Sequence, residues 1–339
     1  MTPIVTENQW VTAVAHPNIA LIKYWGKRDE KLVLPTTDSL SMTLDIYPTT
    51  TTVRPLSDAD ADVVFLDGVP AEGAVRERIT GFLDLVRAAS GRTERVCVGT
   101  RNTVPTGAGL ASSAAGFAAL ATAAARVFDL ELDAAALSRL ARRGSGSASR
   151  SIFGGFARWR AGSGNGDAAD RASYAEPVDG GALDPALVVA VVEDGPKSVS
   201  SREAMRHTVA TSPLYWGWAM SSTSDIADMC QAIDRGDLVA VGEIAERNAL
   251  GMHATMLAAR PAVRYLSPAS LTVMDRVIEL RRSGIPAYIT ADAGPNVKVL
   301  CARRDAERVA AALNLLPCTR SVVTAHPGPG ARVMAGRRR

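Results

Sequence analysis

Between Ser112 and Phe128 the chain carries one charged residue, Arg126, and nearly half of the residues are alanine. Alanine is the strongest helix former, so a helix is expected up to about Phe128. A helix without a polar face has to be covered on nearly all sides, and the fold of this chain must enclose it. Its small side chains, with serine, threonine and glycine among them, point to close packing inside a soluble protein and away from a bilayer span. With 339 residues, 47% of them hydrophobic, the chain has material for such a core and for two domains.

The elements around this helix alternate in type. Strands are predicted at Trp10 to Ala15, at the Thr-rich run Thr49 to Val53 with one wet face, and at Val63 to Leu66 before the tight turn Asp67-Gly68. A helix from about Ala74 to Ser90 closes at Gly91, and Val96 to Thr100 is a short strand. Asp133 is placed to cap a helix that runs to Arg143 and stops at Gly144. Residues 162–172 read as a surface loop. The apolar, Val-rich run Leu187 to Val192 is expected to be a central strand. Helical patterns occupy about 202–258 and 269–283. Ile285 to Ala291 and Val297 to Ala302 are strands flanking a turn at 292–296, and a last helix starts near Asp305. The mixture defines an α+β chain in two domains, divided as 1–185 and 186–339.

Charge and cysteine content exclude several classes. The 38 Lys plus Arg against 35 Asp plus Glu leave +3, too small an excess for a nucleic-acid protein. Cys97, Cys230, Cys301 and Cys318 are scattered without CxxC spacing, so they read as idle thiols in a reducing cytoplasm. The N-terminus has no basic start followed by an apolar run, and no signal peptide is expected. His16, His207, His253 and His326 have no metal-binding spacing and receive no catalytic role.

The segment before the buried helix reads Pro105-Thr106-Gly107-Ala108-Gly109-Leu110-Ala111-Ser112-Ser113-Ala114. Glycines let backbone approach an anion, the serines offer hydroxyls, and a helix start directs free N–H groups and the positive dipole end at the loop. The pattern ending in Gly-Lys-Ser/Thr is absent, so this is not a P-loop. On local chemistry alone, the segment is equally a Gly/Ser-rich helix start that binds nothing. It resembles, however, the Pro-x-x-x-Gly-Leu-x-Ser-Ser-Ala motif of the GHMP kinases. Residues 15–29, Ala-His-Pro-Asn-Ile-Ala-Leu-Ile-Lys-Tyr-Trp-Gly-Lys-Arg-Asp, are similar to the signature of the diphosphomevalonate decarboxylases within that superfamily. Taken alone, they make a solvated basic turn with buried aromatics. Leu34-Pro35, Ser39 to Leu44, Gly144 to Ser151 with Gly154-Gly155-Phe156, Lys197 to Met205 and Asp292 to Asn296 continue the likeness in family order to about residue 300.

The resemblance implies the GHMP fold: an N-terminal domain like domain 2 of ribosomal protein S5, a ferredoxin-like C-terminal domain, and an active site in the cleft between them. It implies ATP-dependent decarboxylation of mevalonate 5-diphosphate to isopentenyl diphosphate through transient 3-phosphorylation. Mevalonate-3-kinase, phosphomevalonate decarboxylase and a silent ligand-binding paralogue stand as alternatives. ATP and Mg2+ are the implied cofactors, a homodimer the implied state, with no nucleic-acid or membrane partner. Residue by residue, it assigns the base role to Asp292, which by itself is equally an Asx-turn residue. Lys23 would reach the same hydroxyl, and Arg150 would grip the substrate carboxylate through its planar fork. Pro105, Gly107, Gly109, Leu110, Ser112, Ser113 and Asn18 would serve ATP, with Ser113 also on the metal. Tyr24, Lys27, Ser145, Gly146, Ser147, Ser201, Arg202 and Met205 would line the substrate pocket. Two departures are visible. Ser149 stands where some members carry cysteine, and Gly107 where alanine is frequent.

Overall fold

The computed structural model describes residues 10–104, 112–193 and 199–334. Its described helices are α1 (Gly73–Ser90), α2 (Ser112–Val127), α3 (Ala134–Gly144), α4 (Gly166–Ala172), α5 (Ser201–Thr211), α6 (Tyr215–Asp234), α7 (Leu238–Leu257), α8 (Pro268–Arg282) and α9 (Ala306–Asn314), with a 3-10 helix at Gly146–Ile152 and a single 3-10 turn at Arg303–Asp305. They pack on three larger sheets. A two-stranded ribbon, Lys27–Asp29 with Leu34–Pro35, stands apart from these.

The first sheet runs Arg332–Val333, Val11–Ala15, Thr49–Pro55, Val96–Asn102, Val63–Leu66, Val69–Pro70. Ala13, Val53, Val64 and Val98 meet Phe82, Leu83 and Val86 of α1 and the alanines of α2. As its lack of charge predicts, α2 is enclosed, by this sheet, by α3 and by the 3-10 helix. The caps follow the sequence. Gly91 sits at φ 71 and donates its N–H to Arg87 O, and Asp133 accepts from Ala136 N at 2.7 Å. At Gly144 a Cβ would lie 2.0 Å from the Phe117 ring, so α2 and α3 can approach this closely only with glycine there.

The second sheet runs Ala175–Val178, Phe156–Trp159, Ser39–Thr43, Asn18–Ile22. Beside it, the structure corrects the reading of 162–172 as a loop, because Gly166–Ala172 is helical. The cause is long-range. Asp170 takes ion pairs from Arg139 (2.9 Å), Arg142 and Arg143 (3.8 Å) on α3, and Arg142 is fully buried.

The third sheet, Ala287–Ala291, Val297–Ala302, Pro185–Val191, Ser321–Ala325, is antiparallel throughout. The Val-rich strand is interior and buried on both faces, which is why it reads as a continuous apolar run. Ala186, Val188 and Ala190 face Val273 and Val277 of α8 and Val309 and Leu313 of α9. Leu187, Val189 and Val191 share a core with Ile226 and Ile233 of α6, Val241 and Ile244 of α7, and Ile19, Leu21 and Met42 of the second sheet. This seam brings the C-terminal ends of Asn18–Ile22 and Ala287–Ala291 together. Past Ala325 the chain returns to the N-terminal half. Gly328 N donates to Thr43 O at 2.7 Å and Ala331 N to Ser151 O at 3.1 Å before Arg332–Val333 joins the first sheet. Among the described residues, no helix is long and apolar enough to cross a membrane.

Candidate active site

Lys23 follows the strand Asn18–Ile22, where the ladder no longer serves its backbone. Its N–H donates instead to Asn248 Oδ1 of α7 at 2.8 Å. Asn248 is fixed in turn by donating to Ser222 Oγ (3.0 Å) and Asp225 Oδ2 (2.8 Å). Asp292 directly follows Ala287–Ala291, in a turn closed by Gly294 N donating to Asp292 O at 2.7 Å. Buried Asn296 ends that turn, accepting from Val192 N (2.8 Å) and Glu193 N (3.1 Å) and donating to Glu193 O (3.0 Å).

Across the seam, Lys23 Nζ donates to Asp292 Oδ1 at 2.8 Å and to Ala20 O at 2.7 Å. Lys298 Nζ lies 3.4 Å from Asp292 Oδ2. Burial pushes the Lys23 ammonium below its ordinary range, and Asp292 opposes that shift. Behind the pair His253 Nε2 lies 3.2 Å from Ala291 O, and burial lowers its imidazole to about 4.

Arg150, in the 3-10 helix, is 2% exposed. Its Nη1 donates to Ser39 Oγ at 2.6 Å, and Nε and Nη2 both reach Asn18 Oδ1 at 3.3 Å. These partners are neutral, and among the described residues no carboxylate forms an ion pair with Arg150. Burial lowers its guanidinium to about 10. The other end of Asn18 is also engaged, by Ser147 O at 3.0 Å and Ser151 Oγ at 2.8 Å. The Arg150 guanidinium lies 5.9 Å from the Trp159 ring, against whose edge Tyr24 packs at 4.7 Å. Gly146 lies so close that a Cβ would sit 2.8 Å from the Tyr24 ring. The Tyr24 hydroxyl is buried without a partner among the described residues, and burial pushes it up.

These groups surround one cavity of about 830 Å³. Every predicted site residue that the structure describes lines it: Asn18, Lys23, Tyr24, Lys27, Ser112, Ser113, Ser145, Gly146, Ser147, Arg150, Ser201, Arg202, Met205 and Asp292. Pro105, Gly107, Gly109 and Leu110 lie outside the described residues. Ser113 Oγ, Ser145 Oγ and Ser147 Oγ form a row with spacings of 3.3 and 3.5 Å at the N-terminal turn of α2. Lys27 Nζ donates to Glu30 Oε2 at 2.5 Å within the lining. Sequence reasoning missed Arg78 and Arg143, which also line the cavity and each hold a buried Nε without a partner among the described residues. Nothing marks either arginine in the sequence, since each sits in an ordinary helical stretch. It missed Lys298 too, whose signal was available: it is the only charged residue in the strand Val297–Ala302.

The fold and the cleft define the class. The architecture matches the mevalonate diphosphate decarboxylase of Staphylococcus aureus with a TM-score of 0.92 at 39% identity, over 96% of this chain and 98% of that one. The enzyme of that name from Enterococcus faecalis gives 0.90 at 42% identity, covering 96% and 99%. A structure described as MDDEF in complex with MVAPP, AMPPCP and magnesium gives 0.90 at 44%, with the same coverage. Residues 15–175 match the diphosphomevalonate decarboxylase-like N-terminal domain, and 187–328 the mevalonate 5-diphosphate decarboxylase C-terminal domain. Curated relatives include the diphosphomevalonate decarboxylases of Aspergillus fumigatus, 37% identical over 90% of this chain and 80% of that one, and of Homo sapiens, 37% over 85% and 76%. The chain belongs to the diphosphomevalonate decarboxylase family.

Proposed function

We propose that Asp292, Lys23 and Arg150 carry the reaction of this family in the cleft. That reaction is the ATP-dependent decarboxylation of mevalonate 5-diphosphate to isopentenyl diphosphate, with ADP, phosphate and carbon dioxide as the other products. The observation that carries the residue roles is the pairing, in one cavity, of a lysine-held carboxylate with a buried arginine that forms no ion pair among the described residues.

A tertiary alcohol is a poor nucleophile, and a carboxylate within reach of its proton helps. Asp292 accepts the 3-hydroxyl hydrogen, and Lys23 keeps the carboxylate ionised and oriented. Arg150 takes the C1 carboxylate through the edge that Ser39 and Asn18 leave for it. A buried guanidinium with neutral partners gains most from a bidentate anion. Asn18, which the resemblance assigns to ATP, serves in this reading by fixing Arg150. Lys27, Arg202 and Arg78 supply charge for the 5-diphosphate, with the Tyr24 hydroxyl as a further donor.

The triphosphate is held where α2 begins. Free N–H groups of the first turn and the Ser112 and Ser113 hydroxyls suit phosphate oxygens there. Among the described residues no cluster of His, Cys, Asp or Glu could hold a metal ion. That fits magnesium, which is commonly bound through substrate phosphates and few protein ligands, with Ser113 as the protein ligand. Bound there, magnesium supplies neutralisation of charge on the phosphate oxygens. Once the 3-hydroxyl carries a phosphate, that group leaves with the C3–O electrons. The C1–C2 pair becomes the C2–C3 double bond as carbon dioxide departs. Arg150 holds C1 in the orientation this elimination needs. The division near residue 185 and a homodimeric state belong to this proposal as well.

The test is Asp292→Asn. Turnover is expected to fall by about 10²–10⁴-fold, with nucleotide affinity within about threefold of the parent. Retained turnover, or a collapse of ATP affinity, contradicts the assignment.

A further inference from the structure

We infer that Lys298 is a positioning residue for Asp292, holding Oδ2 while Lys23 holds Oδ1, so that both carboxylate oxygens are fixed before substrate arrives. The inference rests on the role proposed above for Asp292 and adds a second lysine to it.

The strand Val297–Ala302 is buried on both faces except at its last residue. Val297, Val299 and Cys301 face the α8 and α9 core, whereas Leu300 faces the core shared with α6, α7 and the strand Asn18–Ile22. Period-2 geometry puts Lys298 on the face of Leu300, directed at the seam where Lys23 and Asp292 meet. Lys298 is 1% exposed, and an ammonium so buried is retained only with partners. Its Nζ has two across the turn: Asp292 Oδ2 at 3.4 Å and the carbonyl of Asn296 at 3.3 Å. It therefore ties the first residue of the turn to the last from beneath. Lys298 does not line the cavity, so it acts through Asp292.

Among the described residues, charged and titratable groups from four elements bear on Asp292. They are Lys23 after the first-half strand, Lys298 on its own sheet, Arg150 on the 3-10 helix and His253 on α7. Burial keeps His253 neutral near pH 7, so among the described residues three cations face one anion. Removing one of the two in contact raises the Asp292 carboxyl, because an opposite charge within about 4–6 Å favours the ionised form.

The experiment follows kcat and KM from pH 5.5 to 9 with ATP, magnesium and mevalonate 5-diphosphate. It compares the full chain with Lys298→Met, Lys298→Arg and Asp292→Asn. In Lys298→Met the expected result is a kcat lower by about 10–100-fold, the scale of a small misplacement of a catalytic group. Both KM values should stay within about twofold, and the acid limb of kcat should move to higher pH by about one unit. Lys298→Arg should return the limb toward the parent. Titration of the substrate phosphates is common to all forms, so differences between profiles report the protein. Superimposable profiles with unchanged kcat overturn the proposal. Unfolding gives a reading that does not need Lys298→Met to fold alone. Asp292→Asn is expected to lower the Tm by stranding buried ammonium groups, and adding Lys298→Met to it to raise the Tm again. A further fall in the double variant overturns the pairing. An active Asp292→Asn overturns the base assignment itself. An inactive one with an unmoved Lys298→Met profile overturns the Lys298 role alone.

Discussion

The side-chain oxygen of Asn18 accepts from both Nε and Nη2 of Arg150 at 3.3 Å, joining a strand of the first half to the 3-10 helix 132 residues away. The Asn18 amide nitrogen is spent on Ser147 O and Ser151 Oγ, so the residue cannot turn. Arg150 is therefore aimed before any ligand binds. Asn18→Ala is expected to raise KM for mevalonate 5-diphosphate by about 10–100-fold, the value of lost hydrogen bonds to a charged group. KM for ATP should change far less. Steady-state kinetics with each substrate varied in turn checks this, and equal rises for both would point to a different task for Asn18.

Glu30 brings a carboxylate into the cavity proposed to take the 5-diphosphate. It pairs with Lys27 at 2.5 Å, yet its side chain is 62% exposed, so the pair is a weak one. Glu30→Gln frees Lys27 and removes a like charge from the path of the diphosphate. KM for mevalonate 5-diphosphate should fall by about two- to fivefold at low salt, and the difference should shrink as salt screens it. Kinetics at two ionic strengths reads both effects.

His253 makes stability depend on pH. Its folded pKa of about 4 lies below the ordinary 6.5, so between those values the unfolded chain binds the extra proton. The contribution is complete above pH 6.5 and is lost as pH falls toward 4, by about 3 kcal/mol over the window. His16, also lowered by burial, acts in the same direction. Denaturant unfolding at pH 7.5 and 5 should show the loss, and His253→Gln should flatten it.

Asp170 is the anchor of α4 and of three arginines on α3. Arg142 is fully buried, so Asp170→Ala leaves a stranded charge. The expected cost is about 3–5 kcal/mol. Because α3 leads directly into Gly144 and Ser145, kcat/KM should also drop. Thermal unfolding and kinetics on the same preparation check the two together.

What could be read in advance was local. An alanine-rich run with no charge before Arg126 announced α2, Gly91 and Asp133 announced caps, and a Val-rich run announced an interior strand. These features depend on neighbours in sequence. The helix at 166–172 was missed because arginines about 30 residues earlier hold it. The return of Arg332–Val333 to the first sheet was missed for the same reason, since strand pairing partners leave no local mark. In the site, residues inside recognisable motifs came together in one cavity. Arg78 and Arg143 lie in unremarkable helical stretches. Lys298 was passed over as part of an apolar strand, although a lone lysine there has to find a buried partner.

The most direct measurement incubates the purified chain with ATP, magnesium and mevalonate 5-diphosphate labelled at C1, and counts ADP and released carbon dioxide together. The account expects equal amounts of both, with isopentenyl diphosphate as the organic product. ADP without carbon dioxide would leave a kinase, and neither product would leave a binder. Either result contradicts the account.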